Sequence, residues 1–447
     1  MQHPSAVTSS LFTDLYEVTM AQAYLAEGMA GTAVFETFFR KLPEERSYVV
    51  AAGLADVLDF LEALRFTSDD LDFLDGLGVF SDDLLRALSA LRFTGDVWAV
   101  PEGTVVFPHE PIVQVVAPII EAQLVETFVL NQIHFQSVIA SKAARLVHAA
   151  AGRAVVDFGA RRAHGVDAGL KVARATYLAG GTGTSNLLAA RLYGIPALGT
   201  MAHSFVQACE GEAAAFAAFV RQFPHATLLV DTYETLQGID RVIELARQLG
   251  DNCAIGAVRL DSGDLIALAK SARAKLDAAG LRDVEVFVSS GLDEYDLAEM
   301  VASKSPIDGF GVGTQLATSS DAPYLDMAYK LVEYGGEPRT KLSTEKTLYP
   351  GRKQVFRRAD AGMFVGDTIA LATEGQRGEP LLVHVMANGR RTDQFDGSLL
   401  GARSRCAAQV AALPDDIRAL RSSGAYPATV SARVLQALAL LRSSLQR

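Results

Sequence analysis

The sequence predicts an α/β protein: an incomplete βα barrel, preceded by an N-terminal α/β domain and followed by a C-terminal accessory region that ends in helices. Three observations carry that reading. Short apolar runs recur through the centre of the chain at intervals of about 20–30 residues, most of them followed by a helical pattern. Chemically capable side chains gather just past the ends of those runs, the face where a βα barrel builds its sites. The segments on either side lack the repeat.

Residues 1–95 mix acidic, leucine-rich helical stretches such as "LADVLDFLEALRF" and "SDDLLRALSALRF" with one strand-like run, "GTAVFETFFR". Apolar residues at i, i+3 and i+4 mark the helices. Residues 96–120 switch to short β-branched runs punctuated by Pro and Gly, which predicts antiparallel strands with tight turns. A helical pattern then runs from Glu121 to about Ala150. The repeat follows, with strands predicted at "AVVDFG" (154–159), "ATYLAGG" (175–181), "PALGTM" (196–201) and "TLLVDTY" (227–233). It continues with "GAVRLDSG" (256–263), "VEVFVSSG" (284–291) and "IDGFGVGT" (307–314). Right-handed crossovers leave two closures, a barrel or an open doubly wound sheet. No GxGxxG follows the first strand, which lowers the dinucleotide-binding reading and favours the barrel. From about Arg358 onward the pattern is strands and then helices, with no catalytic role to assign.

Composition narrows the function classes. The chain has 447 residues, about three times the usual ~150 per domain. A net charge of −11 without blocks of like charge argues against a nucleic-acid surface, and less strongly against a membrane surface. An anionic ligand must therefore be held by local cations working against the global sign. Cys209, Cys253 and Cys406 are odd in number, far apart and form no CxxC, which predicts reduced thiols, not a disulfide or zinc framework. The N-terminus lacks a basic segment leading into an apolar one, and no run of ~18 apolar residues is free of charges or breakers. A cytoplasmic protein without a signal peptide or membrane span is expected.

The polar residues follow the predicted strand ends. Arg161 follows "VVDFGA"; His203 follows "PALGTM"; Asp261, Ser262 and Asp264 follow "GAVRL". Ser289 to Gly291 follow "VFV", and Gly311, Gly313 and Thr314 close "DGFGVGT". The glycines of "GFGVGT" suit backbone N–H groups approaching phosphate, though the same residues also suit a strand end packed tightly on a helix. "RLDSGD" is equally a strand with an Asp helix cap. In a strand alternate residues share a face, so Arg259 and Asp261 stand side by side while Leu260 packs behind. A cation next to a carboxylate suits an anionic heterocycle beside a sugar with vicinal hydroxyls. In "GIPALGTMAHS" (194–204) His203 stands where a strand surfaces and a helix begins, with Ser204 placed to cap that helix. A histidine there is suited to phosphate, because the helix N-terminus favours anions.

Seven segments in order resemble the nicotinate phosphoribosyltransferases, over about residues 10–360: "TDLYEVTMAQAY", "FFRKLP", "DFGARRAHG", "GTMAHSF", "VRLDSGDL", "GFGVGTQL" and "YKLVEYGGEPRTKLS". The resemblance implies an incomplete α/β barrel, a homodimer, and C-terminal segments that return to the N-terminal domain. The boundaries that follow are 1–130, 131–328 and 329–447. The implied reaction joins nicotinate to 5-phosphoribosyl 1-diphosphate (PRPP), giving nicotinate mononucleotide and diphosphate, with ATP as co-substrate and Mg²⁺ carried on the diphosphate. Carried over residue by residue, Tyr16 stacks on the pyridine ring, Arg259 pairs with the nicotinate carboxylate, and Thr200 lies beside it. Asp261 meets the ribose hydroxyls, and Gly291, Gly311, Gly313 and Thr314 hold the 5-phosphate. Lys142 and Arg161 are the expected diphosphate cations. Arg40 and Lys330 match positions that reach a site across the dimer. His203 is the residue that ATP phosphorylates in the family. A nicotinamide-specific relative and a non-catalytic binding protein are the alternatives; the first should offer a polar group for an uncharged amide, and intact His203, Arg259 and Asp261 argue against the second.

Overall fold

Six parallel strands form the central sheet, in the spatial order Gly183–Thr184, Ala154–Asp157, Gly309–Val312, Glu285–Ser289, Ala257–Leu260 and Thr227–Leu229. A computed structural model describes residues 9–250, 254–341, 347–421 and 424–446. Cys253 and the ends of some quoted segments lie outside them. The chain divides into two units: Lys142–Asp321, which holds this sheet, and residues up to Ser141 together with those from Ala322 onward.

In the first of these units every strand pairing is parallel. Helices Val166–Leu178, Thr235–Leu249, Leu265–Ala278 and Glu294–Ala302 connect the strands. The strand Gly309–Val312 is buried along its whole length, as expected when a parallel sheet is covered on both faces. Caps fix where helices begin after the strands: Asn186 accepts from the Leu188 and Ala189 amides at 3.1 and 3.2 Å, and Asp264 from Ala267 at 3.0 Å. Asp293 and Asp296 form a reciprocal capping box at the start of the helix Glu294–Ala302.

Two predicted strands differ in the structure. "ATYLAGG" is the last turn of the helix Val166–Leu178, which ends near Gly180 at φ 111°. The strand lies just beyond it and is only two residues long, Gly183–Thr184. A short apolar run does not by itself distinguish a strand from a buried helix segment. "PALGTM" forms only an isolated bridge between Ala197 and Thr184. It fills the break between the two outer strands: Leu198 donates to Thr184 O at 3.0 Å, and the Thr200 hydroxyl donates to Thr227 O at 2.6 Å. Pro196 offers no amide with which to extend that bridge into a ladder. Ser204 does not cap the next helix, which starts one residue earlier at His203 with Ala202 as its uncapped N-cap.

The other unit is built on a seven-stranded antiparallel sheet. Strand Thr32–Phe39 pairs with Val113–Pro118 on one side and with the returning strand Met327–Tyr334 on the other. The predicted helix from Glu121 is two helices, Ile119–Leu124 and Glu126–Ala149. Phe60 stacks on Phe128 with ring centroids 3.8 Å apart, joining helix Leu54–Ala63 to the long helix. Beyond residue 350 a four-stranded sheet (Lys353–Asp360, Met363–Leu371, Glu379–Pro380, Ala428–Val430) precedes and interleaves with the helices Leu399–Ala411 and Ala432–Leu445. No helix among the described residues is long and apolar enough to cross a membrane.

Candidate active site

Strand alternation places Arg259 and Asp261 together, as predicted, with Leu260 fully buried behind them. Arg259 Nη2 donates to Asp261 Oδ1 at 2.9 Å and Nε donates to the Ser289 hydroxyl at 2.7 Å. That side of the guanidinium is taken. Nη1 faces only the Met201 carbonyl at 3.5 Å, too far for a strong bond, so its end is available to a ligand. The Ser289 hydroxyl also donates to Asp261. Burial works to raise the Asp261 carboxyl, but the Ser289 hydroxyl, Arg259 and the His203 imidazole outweigh it and hold it below the usual carboxylate range.

The next strand supplies a second carboxylate. Asp231 Oδ2 accepts from the Asp261 amide and the Ser262 hydroxyl, both at 2.8 Å. Its Oδ1 is buried and has no hydrogen-bond partner. Beside it the Thr232 hydroxyl lies 3.1 Å from His203 Nδ1, while His203 Nε2 is 3.9 Å from Asp261 Oδ2. The His203 side chain is 41% exposed, with Nδ1 oriented by the Thr232 hydroxyl.

Two cavities meet at this centre. One, of about 410 Å³, runs along the barrel opening past Leu198, Gly199, Thr200 and Met201. The other, of about 350 Å³, is lined by Asp261, Ser289 to Gly291, Gly311, Gly313 and Thr314. Phe158, Arg161 and Arg259 line both. The Arg259 guanidinium lies 5.6 Å over the Phe158 ring, and Arg162 joins Arg161 at the second cavity. The first cavity therefore offers an aromatic wall and two cations, Arg161 and Arg259, and the second offers glycines, hydroxyls and three cations, Arg161, Arg162 and Arg259.

The two readings of "GFGVGT" separate by residue. A Cβ on Gly311 would lie 2.6 Å from Phe158 ring carbons, so packing alone demands glycine there. On Gly313 the nearest atom would be the Phe158 carbonyl oxygen at 3.6 Å, an ordinary contact. Gly311→Ala is expected to lower stability by about 1–3 kcal/mol in urea unfolding, as overpacked cores do, while Gly313→Ala costs less. Equal losses at both positions would contradict this division.

Other predicted residues have partners of their own. Lys142 is buried, ion-paired with Glu294 and, at 2.9 Å, with Asp321; Arg145 Nε donates to the same Glu294 at 2.8 Å. Lys142 lines neither cavity. Tyr16, Arg40 and Lys330 belong to the other unit. Tyr16 is half-exposed, its hydroxyl pKa pushed up by burial and by Glu126. Lys330 Nζ is 3.7 Å from the same Glu126. Arg40 pairs with Asp326 at 2.8 Å. Sequence reasoning passed over Phe158, Asp231 and Thr232. Asp231 carried a usable signal, since it ends "TLLV" much as Asp261 ends "AVRL".

Known proteins resemble this chain over most of its length. A family model described as the nicotinate phosphoribosyltransferase N-terminal domain matches residues 11–134, and one described as the nicotinate phosphoribosyltransferase family matches 153–356. A nicotinate phosphoribosyltransferase of Mycobacterium tuberculosis is 65% identical over 434 residues, covering 97% of this chain and 94% of its own. That of Bacillus subtilis is 42% identical over 376 residues, covering 82% and 76%. The crystal structure of human nicotinic acid phosphoribosyltransferase superposes with a TM-score of 0.86 at 30% identity, covering 96% of this chain and 99% of its own. The chain belongs to the nicotinate phosphoribosyltransferase family of enzymes.

Proposed function

We propose that this chain transfers the phosphoribosyl group of PRPP to nicotinate, forming nicotinate mononucleotide and diphosphate, and couples that transfer to ATP through a phosphohistidine at His203. The observation that carries the reading is Arg259, whose free end stands where an aromatic-walled cavity meets one rich in glycines and hydroxyls. A guanidinium there meets a planar carboxylate while Phe158 and Thr200 flank the ring. The ring nitrogen uses its own lone pair to form the bond to ribose C1. The C1–oxygen bond breaks with its electrons leaving on diphosphate. No proton must be removed, so catalysis rests on alignment and on stabilising a cationic ribosyl transition state beside an anionic Asp261.

The 5-phosphate fits the turn of Ser289 to Gly291 with Gly311, Gly313 and Thr314, and Arg161 and Arg162 are the cations free to meet diphosphate. Lys142, closed into its ion pairs, instead anchors the start of the helix that follows that turn. Mg²⁺ fits an oxygen donor such as Asp231 Oδ1, which is buried without a hydrogen-bond partner. When bound with diphosphate it would offset the charge of the leaving group. Nδ1 of His203, held by Thr232, leaves Nε2 to take the γ-phosphoryl of ATP with ADP leaving. Water later breaks the N–P bond. A homodimer in which Arg40 and Lys330 reach the partner's site, and Tyr16 stacks on the pyridine ring, is part of the same proposal and rests on the family resemblance.

The test is turnover. Purified protein with PRPP and nicotinate should release nicotinate mononucleotide and an equal amount of diphosphate, resolved by anion-exchange chromatography. Product from nicotinamide alone, or from neither pyridine, would contradict the proposal. Thr314→Val tests the phosphate assignment: the exposed hydroxyl is lost at nearly constant shape, so PRPP binding should weaken by about 1–3 kcal/mol with unchanged melting. Earlier melting with normal PRPP binding would assign Thr314 to structure instead.

A further inference from the structure

In the unit containing the antiparallel sheet lies a cavity of about 520 Å³, a size typical of small-molecule sites. Trp98, Glu333, Arg352, Lys353, Gln354 and Leu382 are among its walls, and none of its lining residues belongs to the barrel cavities. Most of its polar groups are already engaged. Lys353 Nζ donates to Tyr349 O at 2.7 Å and Gly351 O at 2.8 Å, and pairs with Glu36 at 2.7 Å. Gln354 Nε2 donates to Leu382 O at 2.9 Å, and its Oε1 accepts from the Val355 and Leu382 amides at 2.8 and 3.0 Å.

Arg352 is different. Its guanidinium lies 4.4 Å over the Trp98 ring, and its Nε is shielded from solvent with no hydrogen-bond partner. Burial pulls the Arg352 pKa down, with Glu333, Asp96 and Glu36 pulling against it, so the cation is poorly compensated where it stands. Glu333 makes a long 3.4 Å contact with the Arg352 amide, which leaves its carboxylate with accepting capacity. A buried guanidinium nitrogen without an acceptor, a carboxylate able to accept, and apolar walls at Leu371 and Leu382 together describe a ligand with an anionic end, a hydroxylated end and a small body.

We propose that this cavity binds a small hydroxylated organic anion, its carboxylate or phosphate monoester on the Arg352 guanidinium and a hydroxyl on Glu333. Supplying the missing acceptor relieves a buried donor that otherwise has none. The inference stands apart from the transferase reading, because no residue of the barrel takes part in it.

Trp98 is the only tryptophan of the chain, so intrinsic fluorescence reports this cavity directly. The intact protein is titrated with ribose 5-phosphate, with malate, and with sodium chloride at matched ionic strength. A saturable change is expected with ribose 5-phosphate or malate and none with chloride; which of the two acts distinguishes phosphate from carboxylate. Arg352→Gln should raise the half-saturation concentration about tenfold or more, Glu333→Gln should raise it by a smaller factor, and Arg161→Ala should leave it in place. Should Arg352→Gln lose its native circular dichroism, Glu333→Gln carries the comparison. Flat titrations with both organic anions, an equal response to chloride, half-saturation unmoved by the cavity substitutions, or loss of the signal in Arg161→Ala would each overturn the proposal.

Discussion

Arg259→Ala is expected to raise the nicotinate KM by roughly thirty-fold to several-thousand-fold, the equivalent of about 2–5 kcal/mol for a charged, hydrogen-bonded partner lost from a shielded site. The Arg259 side chain is 11% exposed, so water replaces little of what is removed. The same substitution strips Asp261 of one partner, while the Ser289 hydroxyl and His203 remain to hold that carboxylate. PRPP affinity should therefore change by much less than nicotinate affinity. Arg259→Lys keeps the charge but loses the planar fork, and should fall between the wild type and Arg259→Ala. Steady-state kinetics in each substrate at saturating co-substrate separates these effects, and equal weakening of both substrates would reject the assignment.

His203→Ala should abolish ATP coupling altogether. Wild-type protein incubated with γ-labelled ATP is expected to acquire a label that is lost in acid and kept in base, as a phosphoimidazole is; the variant should acquire none and show no ATPase activity. Slow synthesis of nicotinate mononucleotide should persist, because Arg259, Asp261 and the glycine turns are untouched and the ring nitrogen needs no base. ATP should no longer raise the yield. Thr232→Val, which removes the hydroxyl 3.1 Å from Nδ1, should reduce labelling without ending it. Full ATP stimulation in His203→Ala, or a label on the exposed His164, would remove His203 from the mechanism.

What was legible in the sequence was local or periodic. Two-residue alternation alone placed Arg259 and Asp261 on one face, and the βα rhythm located the strand ends where Gly291, Gly311 and Thr314 line a single cavity. What was not legible depended on residues far apart in the chain. Lys142 looks like a free cation until Glu294, 152 residues away, folds against it. "PALGTM" has the composition of a strand, but its neighbours leave it a break to bridge and not a ladder to join. Phe158 lies inside "DFGARRAHG", and nothing in a sequence says that it lines two cavities. Tyr16, Arg40 and Lys330 were singled out from resemblance alone, and within their own unit they meet Glu126 and Asp326.

The central claim is that Arg259 selects a pyridine carboxylate for attack on PRPP. Its most direct test is the ratio of kcat/KM for nicotinate over nicotinamide, measured in the wild type and in Arg259→Ala with PRPP saturating. A guanidinium that reads the carboxylate predicts a large ratio in the wild type that collapses by at least about thirtyfold in the variant, with the nicotinamide value little changed. A ratio that is unchanged in Arg259→Ala, whatever the loss in absolute rate, would contradict the account.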